Sequence, residues 1–113
     1  MENYTLINCT QHDITIKKED GTEVVLSPSG LVPRVNSESV TIGSVNGIPI
    51  VQSKLTNVDN IPEPAPNTIY LVSSFVSAAL PDREDVLSPD TSPESVIRDE
   101  SGRIVGVRRL QKI

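Results

Sequence analysis

Apolar side chains along this chain come in short alternating runs separated by Gly, Pro, Asn and Asp, a spacing that predicts brief strands joined by tight turns. Tyr4-Thr5-Leu6-Ile7-Asn8-Cys9 reads as a first strand and Asp13 to Lys18 as a second, with Ile14 and Ile16 on one face. Glu19-Asp20-Gly21-Thr22 turns the chain into Glu23 to Ser27, and the Asp-Gly pair at the tip marks a hairpin. Pro28-Ser29-Gly30 ends it, and Val32 to Val35 is expected as another short extended piece.

Asn46-Gly47 separates Val40 to Val45 from Ile48-Pro49-Ile50-Val51 and supplies the two positive φ angles of a type I′ turn. Val45 and Ile48 then form the pair nearest the turn, Pro49 directs its missing N–H away from the partner, and Ile48 to Val51 is expected at a sheet edge. Asp59 to Asn67, with Pro62, Pro64 and Pro66, reads as a stiff connector (59–67) within the domain. It leads into Thr68 to Ser73, apolar on both faces and therefore central.

Ser74 is placed to cap the one short helix expected near 74–84, in which Val76, Ala79 and Leu80 share a face and Pro81 sets a limit. Residues 82–95 read as a polar, proline-containing loop with Asp82, Glu84, Asp85, Asp90 and Glu94 set against Arg83. A loop this long in a small domain is functional or mobile. Ser95 to Arg98, the turn Asp99-Glu100-Ser101-Gly102, and Arg103 to Leu110 predict a last hairpin.

Composition supports the strand reading, because Val, Ile and Thr dominate while Ala occurs only at positions 65, 78 and 79. A chain of 113 residues supports one core, so 1–113 is expected as a single domain, mainly β (α+β), with a small mixed or antiparallel sheet of short strands. Tyr4, Tyr70 and Phe75 are the only aromatics, which leaves a modest aliphatic core that self-association would supplement, so a homo-oligomer is expected.

The net charge of −5 opposes general binding to DNA or RNA and to anionic membranes. The N-terminal residues lack the charged and apolar blocks of a secretory leader, and the single cysteine, Cys9, cannot form an internal disulfide. A cytoplasmic location is the expectation from both.

Candidate chemistry is sparse. One cysteine and one histidine cannot close a structural zinc site, and the acids of 82–94 lack the spacing of a calcium loop, so no metal and no cofactor is expected. His12 with Ser27, Ser29 or Ser73 could serve a small hydrolase or phosphodiesterase, yet no Gly-x-Ser-x-Gly elbow accompanies them; the alternative is a histidine that opens a strand. Catalysis is not expected.

Arg98, Arg103, Arg108 and Arg109 lie in or beside the last hairpin, and Arg103 to Ile113 holds four basic residues and no acid. Guanidinium forks match phosphate and carboxylate geometry, so this reversal of sign suggests an anionic ligand or an acidic surface. Parity along a continuous strand puts Arg103 and Arg109 with Val105 and Val107, and Arg108 with Ile104 and Leu110. Pairing of these arginines with the acids of the preceding loop is the alternative.

Leu6-Ile7-Asn8-Cys9-Thr10-Gln11-His12-Asp13-Ile14, Pro28-Ser29-Gly30 with Arg34-Val35, Tyr70 to Ser73, Arg83 and Asp85, and Ser95 to Asp99 with Val107 to Leu110 together resemble a set of small uncharacterised phage, prophage and bacterial proteins. Their usual first motif looks like Asn-Leu-Thr-Pro-His-Asp-Ile, from which Cys9 and Gln11 depart. The resemblance implies a phage or mobile-element origin, action in the host cytoplasm, and by analogy sequestration of a nucleotide-like immune signal without catalysis. Asn8, Thr10, His12, Ser29, Arg34, Ser73, Arg83, Arg98, Arg108 and Arg109 are then the expected contacts to a phosphate-bearing ligand. A virion or host-protein interaction subunit, working through the edge strand and the long loop, is the competing expectation.

Overall fold

The computed structural model describes residues 3–113; Met1 and Glu2, with which the reading of the N-terminus begins, lie outside them. The strands are β1 (Thr5–Asn8), β2 (Ile14–Lys17), β3 (Glu23–Leu26), β4 (Arg34–Val45), β5 (Ile48–Asp59), β6 (Thr68–Leu71), β7 (Val86–Pro89), β8 (Val96–Arg98), β9 (Ile104–Val107) and β10 (Leu110–Gln111), with one helix, α1 (Ser74–Ala79). The protein is mainly β, as its branched residues and turn punctuation require.

Among the described residues there are two four-stranded sheets and a ribbon: β1-β6-β7-β10, β3-β2-β9-β8, and β4-β5. In the first, β1, β6 and β7 run parallel and β10 closes it antiparallel. In the second, β2 pairs parallel with β9 while β3 and β8 flank them antiparallel.

The first sheet is the middle layer. One of its faces carries Ile7, Tyr70 and Val86, which pack with Cys9 and Val72 against Val76 and Leu80 of the helical segment and against Val35 and Val58 at the ribbon base. The other face carries Leu6, Ile69, Leu71, Leu87 and Leu110, which meet Ile14, Ile16 and Leu26 of the second sheet. Residues 69–72 are buried because β6 is covered on both sides, which is why its sequence shows no polar face.

Several elements differ from their sequence-based boundaries. Ser73, not Ser74, caps α1, its side chain accepting from the Val76 N–H, and the helix stops before Pro81. Adjacent serines are equivalent in sequence, and only the backbone angle at Ser73 selects the cap. The segment 82–95 is not continuous loop, because Val86–Pro89 forms β7 beside β6.

Arg34-Val35 and 40–45 belong to one strand, β4, whereas Val32 and Pro33 precede it, and Asp59 still lies in β5 rather than in the connector. The last hairpin breaks after Val107, and Leu110–Gln111 cross to pair with β7 in the other sheet. Parity through Arg108 and Arg109 therefore fails, since the chain changes sheets there.

Candidate functional site

The strand-exit segment 8–12 is a closed polar knot. Asn8 is 2% exposed; its amide donates to the carbonyls of His12 at 2.7 Å and Leu26 at 2.8 Å, and its oxygen accepts from the Thr10 N–H at 2.9 Å and hydroxyl at 2.7 Å. The Asn8 carbonyl also takes the Ser29 N–H at 2.8 Å. Asn8 thus joins the end of β1 to the end of β3, and its hydrogen-bonding capacity is filled from within.

Burial pushes the Cys9 thiol up, with an opposing contribution from its hydrogen bond with Ser29. A thiol held protonated is a poor nucleophile. Thr10, His12 and Ser73 line a cavity of about 240 Å³ beside Cys9, Val32 and Val76, at the carboxyl ends of the parallel strands β1 and β6. This cavity gathers three of the expected ligand residues and no cation.

Arg83 and Arg98 serve their own neighbourhoods. Arg83 makes a bidentate pair with Asp85, at 2.8 and 2.9 Å, and donates to the Pro62 carbonyl at 2.9 Å, tying the proline-rich connector to the start of β7. The Arg83 guanidinium holds the Asp85 carboxyl below the usual carboxylate range, against the effect of burial. Arg98 donates to the Gly102 carbonyl at 2.7 Å across its own turn. Arg34 is exposed at the ribbon base, opposite Asp59.

Arg108 and Arg109 lie at the chain break after β9, and Ser95 builds that corner. Ser95 is fully buried, and its hydroxyl accepts the backbone N–H groups of Arg108 at 3.1 Å and Arg109 at 3.0 Å. The Arg109 side chain then reaches Asp90 at 2.8 Å and the Ser92 hydroxyl at 3.1 Å, with Glu94 at 3.9 Å. Arg109 thereby pairs with the acidic loop, the alternative foreseen for the arginines as a group.

Arg108 faces a different environment. β2 and β9 run parallel with Ile16 opposite Val107, so Lys17-Lys18 leave β2 alongside Arg108-Arg109 leaving β9. The four cations, with Glu19, Gly21 and Glu94, line one cavity of about 290 Å³. Asp20, at the adjacent turn, is occupied by Thr22, which donates its N–H at 3.0 Å and its hydroxyl at 2.6 Å. Gly106 permits the strand approach beneath, because a Cβ there would meet the Thr15 carbonyl at 3.1 Å.

The ten expected ligand residues do not converge on one point. His12 precedes β2 and Lys17 ends it, a separation of about 17 Å along an extended strand. Sequence reasoning missed Lys17 and Lys18, although they and Arg108-Arg109 are the chain's two doublets of adjacent cations.

Among the described residues no cluster of three His, Cys, Asp or Glu side chains is placed to hold a metal, and no helix is long and apolar enough to cross a membrane. The fold and its surface define a small mixed-sheet β protein with a cationic groove where two parallel strands end. No family model, curated protein or solved structure matches the chain.

Proposed function

We propose that this chain is a non-catalytic binding protein that captures a small phosphate-bearing ligand in the Lys17-Lys18-Arg108-Arg109 groove. The supporting observation is the meeting of the two cation doublets around one cavity in a protein of net charge −5. Ammonium and guanidinium groups suit phosphate oxygens as point charge and fork respectively, and Arg109 is already oriented by Asp90. At about 290 Å³ the cavity is large enough for a phosphate or diphosphate group. The phage resemblance adds the biological side of the reading: sequestration of a nucleotide-like immune signal in the host cytoplasm.

A thermal-shift series with pyrophosphate, ADP and cyclic dinucleotides tests this. A ligand at a hundred times its Kd stabilises the folded state by about 2.7 kcal/mol. Phosphate-bearing probes are expected to raise Tm, the parent nucleosides to leave it unchanged, and Lys17→Glu with Arg108→Glu to weaken binding by about a hundredfold, each charged contact being worth about 1.5 kcal/mol or more. No shift with any probe, or a shift that survives the double reversal, defeats the proposal.

The second reading, an interaction subunit, is favoured by a separate observation: the β4–β5 ribbon extends from the body with large apolar side chains exposed. Homo-oligomerisation belongs to this reading.

A further inference from the structure

The strand order β3-β2-β9-β8 arranges the charges of the groove in a definite sequence across one end of that sheet. Lys17-Lys18 leave β2 and Arg108-Arg109 leave β9, the two central strands, and the doublets are neighbours because Ile16 lies opposite Val107. Glu19 stands on one flank, in the turn that carries the chain from β2 back to β3, which is closed by the Lys18 N–H on the Thr22 carbonyl at 2.8 Å. Glu94 stands on the other flank, one residue before Ser95, whose carbonyl takes the Arg108 N–H at 2.9 Å where β8 begins. Both carboxylates line the cavity together with the cations. Across the sheet end the order is therefore acid, cation doublet, cation doublet, acid, with adjacent strands about 4.8 Å apart.

The flanking acids are left available by the fold. Glu94 approaches the Arg109 guanidinium only to 3.9 Å and is 71% exposed, whereas Asp90 takes the same guanidinium at 2.8 Å. Glu19 is likewise exposed. Four cations against two carboxylates leave a formal surplus of two positive charges, and Asp90 offsets one of these at Arg109. Such a groove suits a ligand of one or two negative charges, because its outer carboxylates repel a compact polyanion.

A carboxylate only accepts, so each flank has to be met by a donor on the ligand. An ammonium there would lie beside a lysine or arginine doublet, which leaves a neutral hydroxyl. Sugar hydroxyls lie about one strand spacing from the phosphorus that the sugar esterifies, and acids beside phosphate sites hold ribose hydroxyls in this way. On the reading of the groove as a phosphate site, we infer that Glu19 and Glu94 are its specificity determinants and that its ligand class is a phosphodiester with hydroxyl-bearing sugars on both sides. The phosphate lies over the two doublets, and each carboxylate accepts from a hydroxyl on its own flank. Inorganic diphosphate satisfies the cations and meets only repulsion from the acids.

Titration calorimetry at one ionic strength tests this with three probes: adenylyl-3′,5′-adenosine, its 2′-deoxy counterpart and pyrophosphate. The native chain is expected to bind the ribose diester about tenfold more tightly than the deoxy form, since a site built around a hydroxyl is left with an unpaired acceptor when that hydroxyl is missing. In Glu19→Ala/Glu94→Ala the two effects separate: the ribose preference disappears, while pyrophosphate affinity rises about tenfold as the repulsion is removed. Both side chains are exposed, so the melting curve of the unliganded variant is expected to match that of the native chain.

Equal native affinity for the ribose and deoxy diesters, or a shift by one common factor for all three probes in the variant, overturns this assignment while phosphate binding in the groove stands. Binding of no probe by the native chain, or binding that survives Lys17→Glu with Arg108→Glu, removes the phosphate site itself and the assignment with it.

Discussion

The Asn8 knot and the cationic groove are built from the same material, polar side chains where strands end, and they have opposite outcomes. In the knot every donor and acceptor of a buried amide is filled by Thr10, His12 and Leu26. In the groove, Lys17, Lys18 and Arg108 line an open cavity, and Arg109 alone is drawn into the Asp90–Ser92 corner. The difference shows that residue type does not mark a ligand site; hydrogen-bonding capacity left over after folding does. A motif such as Asn-Cys-Thr-Gln-His-Asp, rich in polar groups, here supplies a fastening between β1 and β3.

The largest effect that tests the contrast is expected from Asn8→Ala. It removes the four side-chain hydrogen bonds of Asn8, leaving the Leu26 carbonyl and the Thr10 N–H without that partner while the Thr10 hydroxyl still reaches the His12 carbonyl at 3.0 Å, and at about 1 kcal/mol per lost bond it should cost about 3 kcal/mol. Urea denaturation measures this, and phosphate-ligand affinity of the folded fraction should be unaltered. A stable Asn8→Ala protein with lost affinity would reverse the roles assigned to the two regions.

Gly106→Ala should have an intermediate effect. The added methyl meets the Thr15 carbonyl at 3.1 Å, so the parallel β2–β9 pair must shift by a few tenths of an ångström, a cost of about 1–2 kcal/mol. Since that pair aligns Lys17 with Arg108, affinity should fall together with stability, which separates it from Asn8→Ala. Equal affinity in a destabilised variant would show that the groove tolerates a moved strand.

Acidification should produce the smallest effect. The Ser92 N–H and hydroxyl, with a further contribution from Arg109, hold the Asp90 carboxyl below its usual range. A lowered folded-state value means that the contribution of Asp90 is complete above the unfolded value of about 3.9 and is lost as pH falls through the folded one. The corner at 90–95 should therefore become susceptible to an acid protease below about pH 4, while Asp90→Asn should be cleaved there by a neutral protease at about pH 7, where the native chain resists it. A corner equally resistant at both pH values would remove Asp90 as its fastening.

Much of the fold was legible where turn chemistry is local. Asn46, at φ 49°, and Gly47, at φ 77°, make the ribbon turn that Asn-Gly announces, and Gly21 and Gly102 turn the other two hairpins with positive φ. β6 was legible as central because covering both faces of a strand removes its polar alternation. β7 was hidden by the acids and prolines on either side of it, which suggest a loop until parallel pairing to β6 is known.

The candidate site was half legible. Arg108 and Arg109 stood out as a reversal of sign, whereas Lys17 and Lys18 resembled the solvated end of a hairpin arm. Pairing between β2 and β9 joins segments from opposite ends of the chain, and no short-range pattern encodes a contact of that separation.

The sequence by itself determined the strand-rich class, the hairpin turns, the double-sided burial of β6 and an uncharged stretch from Ser39 to Ser53, because propensity, turn chemistry and charge are properties of neighbouring residues. Tertiary structure alone decided that Asn8 closes on itself, that Arg83 and Arg109 pair with acids, and that Lys17-Lys18 meet Arg108-Arg109. Those outcomes depend on strand order, register and a break between sheets, which arise only when distant segments compete for the same core and the same hydrogen bonds.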